Sequence, residues 1–145
     1  MKNKPVIALV QDDIIYQITT QRLLQISGLF SDVMVFDHGL SILSYLQQQD
    51  KSIEDLPDII LLDIHMPIMD GWTFLEEYEK IAPALVKYSR IFIHTASLYE
   101  EDLQKAEQYK YVIGSIPAPL RMAELAQQLD FSLRESQRNK YLKTI

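Results

Sequence analysis

The chain has no cysteine, which excludes disulfides, thiolate metal sites and cysteine nucleophiles. It has only four glycines, and they form neither a glycine-rich phosphate loop nor a dinucleotide fingerprint. Long apolar runs are missing as well. Two lysines precede the run Val6 to Val10, but Gln11-Asp12-Asp13 ends it, too early for a signal h-region or a membrane span. Positive charge is in deficit, with 14 Lys and Arg against 20 Asp and Glu and a net charge of −6. A nucleic-acid surface is therefore not favoured. These absences lead us to expect a cytoplasmic protein with neither membrane nor nucleic acid as partner. At 145 residues, 48% hydrophobic and 23% charged, the chain suits one soluble domain with a single substantial core.

Short apolar runs alternate with segments of helical period. Strands are expected over Pro5 to Val10, Asp32 to Phe36, Ile59 to Leu62, Arg90 to Thr95 and Tyr111 to Ile116. Between them, helices are expected over Ile14 to Ser27, Gly39 to Gln49, Gly71 to about Ala82 and Tyr99 to Gln108, with a last one from Pro119 to about Gln137. The first helix carries Ile14, Ile15, Ile18, Leu23, Leu24 and Ile26 at helical spacing, and Gly28 is a good stop. Five strand–helix units argue for a doubly wound α/β fold, a parallel sheet covered on both faces in three layers. The domain is expected over residues 1–137 and a polar, basic tail over 138–145. The charges Arg134, Arg138, Lys140 and Lys143 near that end suit a helix C-terminus.

The most informative stretch is Asp58-Ile59-Ile60-Leu61-Leu62-Asp63-Ile64-His65-Met66-Pro67-Ile68-Met69-Asp70-Gly71. Its apolar residues read as a strand buried on both faces, and Pro67 and Gly71 open a loop after it. Asp63 is thus delivered to the carboxyl edge of the sheet, where open α/β sheets place their ligands. The ends of the first and fourth strands bring Asp12, Asp13 and Thr95 to the same edge. Clustered carboxylates there suit a hard cation such as Mg²⁺, and a hydroxyl at Thr95 suits a phosphoryl oxygen. Other readings stand beside this one. Asp12 or Asp13 serves equally well as a cap of the first helix. His38, His65 and His94 are scattered and read as surface or packing residues, and Tyr109 and Tyr111 as packing or partner-surface residues.

The motif and its companions closely resemble the receiver domains of two-component response regulators, over nearly the whole chain. The resemblance implies a flavodoxin-like (βα)5 fold with strand order 2-1-3-4-5 and the role of a stand-alone switch rather than an enzyme. Chemistry would extend at most to self-phosphorylation from a donor and self-dephosphorylation. Asp63 matches the phosphoacceptor and Thr95 the hydroxyl that senses phosphorylation. Asp12 matches the direct Mg²⁺ ligand, with Asp63, and His65 the position that gives its backbone carbonyl to the metal. His65 and Ser97 occupy the positions that tune self-dephosphorylation. The implied partners are a histidine kinase or phosphotransfer protein upstream, and a downstream protein on the face of helix 4, strand 5 and helix 5.

The match breaks in three places. Gln11 stands where the family has the first acid of a pair, leaving Asp12 with Asp13 as the extra acid. Ala118 occupies the position of the lysine that pairs with the acceptor, although Ala118-Pro119 keeps the proline. Ser115 replaces the switch aromatic. A lost charge-assisted hydrogen bond of the lysine's kind is worth about 1.5–3 kcal/mol. Arg121 lies close enough in sequence to be a substitute cation. These departures support an alternative, a degenerate pseudo-receiver that binds a partner without being phosphorylated. An aspartyl-phosphate phosphatase would want an acid where His65 stands.

Overall fold

The computed structural model describes residues 4–48 and 50–130. Five parallel strands form one sheet in the order β2-β1-β3-β4-β5. They are β1 (Val6–Val10), β2 (Asp32–Phe36), β3 (Ile59–Leu62), β4 (Arg90–Ile93) and β5 (Val112–Ser115). The helices are α1 (Ile14–Ser27), α2 (Gly39–Leu46), α3 (Gly71–Ile81) and α4 (Glu100–Ala106). The last helix, α5, is described over 122–130. Its expected continuation towards Gln137, with Leu133, Arg134, Arg138, Lys140 and Lys143, lies outside the described residues, as does the 138–145 tail.

The central strands are apolar at every position because both of their faces are covered. β1 and β3 are buried throughout. Alternate side chains pass to opposite faces of the pleat. Ala8, Val10, Ile60, Leu62, Ile91 and Ile93 join Ile42, Phe74, Leu75 and Tyr78 from α2 and α3. Ile7, Leu9, Ile59, Leu61 and Phe92 join Leu24 of α1 and Leu120 and Leu125 at the last helix. Expected and observed elements agree closely. The expected strand ends Thr95 and Ile116 lie just past β4 and β5, and α2 stops at Leu46 rather than Gln49.

Helix α1 differs from its sequence pattern. Its isoleucines mark a stripe, yet Ile14, Ile15, Ile18 and Ile26 are 63%, 71%, 60% and 73% exposed. The face turned inward is formed by Gln17, Thr20 and Leu24. The buried polar groups are satisfied: the Gln17 amide donates to the Gln11 carbonyl and to Asp37 Oδ1 at 3.0 Å. The isoleucine stripe faces outward, because a polar face that finds partners can be buried at little cost.

Candidate functional site at the carboxyl edge of the sheet

Asp63 follows β3 directly and is 8% exposed. Its amide continues the sheet ladder to the Val10 carbonyl at 3.1 Å. The next turn is fixed by the His65 amide, which donates to Asp63 Oδ1 at 3.3 Å. Gly71 then folds back against the same backbone: its amide donates to the Ile64 carbonyl at 2.9 Å. A Cβ at position 71 would lie 2.7 Å from the Asp63 carbonyl oxygen, closer than van der Waals contact permits. Only glycine fits there, and this explains the Asp-Gly that starts α3, with Asp70 capping the helix through Thr73 N at 2.8 Å. Within the loop, Ile68 adopts a left-handed φ of 69°, an uncommon conformation for a β-branched residue.

Asp63 faces a cleft of about 380 Å³ lined by Gln11, Asp13, Tyr16, His65, Thr95, Ala96, Ser97, Ala118 and Pro119. The structure therefore brings together the predicted Asp63, Thr95, His65, Gln11, Asp13 and Ala118. Asp12 is exposed and is not part of this lining. Of the two acids, it is Asp13 that caps α1, accepting from the Tyr16 amide at 3.0 Å. Gln11 is buried, and its side-chain oxygen accepts the Asp13 amide at 3.1 Å. Thr95 is buried, with its hydroxyl 3.5 Å from the Ser97 amide. Its carbonyl accepts the Ala118 amide at 3.1 Å, a backbone bond between the end of β4 and the loop after β5. Ser115 stands apart from this cleft, in a groove between β5 and α4.

Among the described residues, no lysine or arginine lines the cleft. Arg121, the sequence's candidate for a substitute cation, points elsewhere: its guanidinium pairs with Glu124 at 3.3 Å and its side chain is 78% exposed. The donors for a divalent cation are also sparse. Among the described residues, no group of three or more histidine, aspartate or glutamate side chains is arranged to hold a metal ion. Mg²⁺ is commonly held by one or two carboxylates with water completing its shell, so two carboxylates, one of them already capping a helix, suit only a water-rich, weakly held ion. The residues present do not fit a tight metal site.

Sequence reasoning missed Tyr16. Its hydroxyl lies 2.6 Å from His94 Nε2 and accepts the Leu120 amide at 2.9 Å. His94 is 1% exposed, and its Nδ1 is 2.7 Å from the Ile116 carbonyl. Burial pushes the His94 pKa below its ordinary value, against the opposing pull of the Ile116 carbonyl and the Asp63 charge. Burial likewise pushes the Tyr16 phenol up. Both groups are therefore held neutral. The other two histidines have separate work: His38 caps α2 through the Ser41 amide at 3.2 Å, and His65 is exposed at the cleft. Tyr109 stacks on Trp72, and Tyr111 packs against Tyr78 and Tyr88. No helix among the described residues is long and apolar enough to cross a membrane.

Residues 7–130 match the family described as the response regulator receiver domain. The chain belongs to that family. It is similar to a response regulator receiver protein from Dyadobacter fermentans, with 28% identity, 86% of this chain and 94% of that one covered, and a TM-score of 0.74. A two-component response regulator from Cytophaga hutchinsonii shares the fold at 21% identity, covering 91% of this chain and 99% of its own, with a TM-score of 0.80. A response regulator solved in its Mn²⁺-bound form is 27% identical, with 83% and 86% of the two chains covered and a TM-score of 0.65. No curated protein matches.

Proposed function

We propose that the chain is a phosphorylation-dependent signalling switch that accepts a phosphoryl group on Asp63 from a histidine kinase or phosphotransfer protein. The observation that carries this reading is the placement of Asp63 at the end of the central strand, facing a cleft whose wall includes the Thr95 hydroxyl. A carboxylate oxygen of Asp63 attacks the donor's phosphorus, and the donor keeps the electron pair of the bond that breaks. The product is an acyl phosphate whose negative charge is shared among its oxygens at neutral pH. Thr95 is the hydroxyl placed to donate to one of those oxygens. A divalent cation such as the family's Mg²⁺ would be held weakly by Asp63 with Asp12 or Asp13 and the His65 carbonyl. That a 27% identical response regulator is solved in a Mn²⁺-bound form supports cation binding; the short donor set supports weak affinity.

Output runs to a protein partner. The face of α4, β5 and α5 offers Tyr99, Leu103 and Ile113 as exposed apolar groups. A second reading, a pseudo-receiver that binds its partner without phosphorylation, is favoured by one observation: among the described residues, no lysine or arginine lines the cleft to retain a phosphoryl group. Intact-mass measurement after incubation with Mg²⁺ and acetyl phosphate separates the two. A gain of one phosphoryl group, absent from Asp63→Asn, is the expected result. No gain from folded protein, beside an ordinary receiver that does gain, would leave the unswitched module as the reading.

A further inference from the structure

One polar group in the cleft wall has no part in the acceptor chemistry above, the Tyr16 hydroxyl. Its bonds form a chain with a fixed direction. The Ile116 carbonyl can only accept, so His94 Nδ1 carries the proton and Nε2 presents a lone pair. The Tyr16 hydroxyl therefore donates to Nε2. Its oxygen accepts the Leu120 amide. Each polar atom in the chain has a partner, and reversing any one bond would orphan another.

The chain joins parts far apart in sequence. His94 is the neighbour of Thr95 at the end of β4. Ile116 follows β5, Tyr16 lies in the first turn of α1, and Leu120 stands at the entrance to α5. In the family the loop after β5 is joined to the acceptor by a lysine side chain, and Ala118 cannot make that link. Here the same loop is gripped on either side of Pro119, at Ala118 by the Thr95 carbonyl and at Leu120 by Tyr16.

We propose that Tyr16 and His94 are positioning residues that couple the Asp63–Thr95 edge to the loop entering α5, in place of the absent lysine and of the aromatic missing at Ser115. The proposal rests on Asp63 being the acceptor. A phosphoryl group there draws the Thr95 hydroxyl inward. His94 moves with its neighbour, and because the buried chain has no slack, Tyr16 and Leu120 either follow or lose bonds that are costly to leave unmade. Asp63 already acts electrostatically on both ring systems.

The test uses isotope-labelled full-length protein with two readouts, intact mass after acetyl phosphate with Mg²⁺, and nuclear magnetic resonance of the His94 ring nitrogens and the Leu120 amide. In the unmodified protein the His94 spectrum should show a proton on Nδ1 and a bare Nε2. Phosphorylation should shift both His94 Nε2 and the Leu120 amide. Tyr16→Phe should still gain the phosphoryl mass, lose the Leu120 response, and exchange its Leu120 amide about fivefold to tenfold faster, as expected for one lost hydrogen bond. His94→Asn, which keeps an amide donor for Ile116 but cannot reach Tyr16, should likewise gain the mass and lose the Leu120 response. A Leu120 response that survives in both variants, or that is absent from phosphorylated wild type, overturns the proposal. If wild type gains no mass, the acceptor reading fails separately. The coupling is then read from Asp63→Asn, whose altered charge should shift the Leu120 amide in an otherwise wild-type chain and leave it unmoved when combined with Tyr16→Phe. No shift in the single variant, or an equal shift in the double variant, overturns it.

Discussion

Helices α1 and α3 flank the same cleft residue, Asp63, and are built on opposite plans. α3 buries Phe74, Leu75 and Tyr78 and turns Glu76, Lys80 and Glu79 outward or to the margin, the ordinary arrangement of a helix whose stability comes from its apolar face. α1 buries Gln17 and Thr20 with one leucine and leaves its isoleucines in solvent. Its attachments are mostly hydrogen bonds: Asp13 at the cap, Tyr16 to His94 and Leu120, and Gln17 to Gln11 and Asp37. The difference teaches that one helix here serves the core while the other serves the site. Apolar burial tolerates small slides, whereas hydrogen bonds fix direction and register. The helix that presents Tyr16 and Asp13 to the cleft is held by the interaction that specifies position.

The largest test of this contrast is Phe74→Ala in α3. Phe74 is fully buried and stacks near Tyr78 at 5.7 Å between ring centroids. Truncation should cost about 3–5 kcal/mol in urea unfolding. A loss below about 1 kcal/mol, typical of a surface change, would show that α3 is not the core helix described here. The matching change in α1 is Gln17→Leu. The replacement is apolar and close in size, so an apolar-attached helix should gain from it. We expect instead a loss of about 1–3 kcal/mol, because the Gln11 carbonyl and Asp37 lose their donor. Equal or greater stability in the leucine variant would place α1 on the same plan as α3.

Much of this was legible in the sequence where one physical rule acts alone. The run Ile59 to Leu62 is short, apolar throughout and closed by Pro67 and Gly71, so it reads as a strand covered on both sides with a loop after it, and Asp63 fell at the sheet edge. Gly28 ended α1 in the left-handed conformation, φ 71°, that glycine adopts freely. Where two rules compete, the sequence was silent. Helical period marked the isoleucine stripe of α1 but not which way it faced, since burial of Gln17 and Thr20 depends on partners in other segments. Asp12 and Asp13 are adjacent acids, and only the cap geometry of α1 shows that Asp13 turns back to Tyr16. The Tyr16–His94 contact spans 78 residues and the Tyr16–Leu120 contact 104. No local pattern foretells either, and a lone tyrosine in an amphipathic helix reads as packing. Its one sequence trace is indirect: a site that lacks its lysine needs another hold on the loop after β5.

The smallest expected effect sharpens the comparison most. Ile14, Ile15 and Ile18 changed together to Ser would strip a core helix of its anchoring face. In α1 these side chains are 63%, 71% and 60% exposed, so little apolar area returns to water when they are lost. Serine's lower helix propensity costs a few tenths of a kcal/mol at each position, and the sum should stay within about 1 kcal/mol. Labelling of Asp63 by acetyl phosphate should be unchanged, because a small donor needs the cleft and not the helix's outer face. A loss as large as that of Phe74→Ala would mean that the stripe is buried against something in solution, a second copy of the chain being the first to test by sedimentation. An unchanged midpoint with unchanged labelling would leave the isoleucines with no duty to fold or to chemistry.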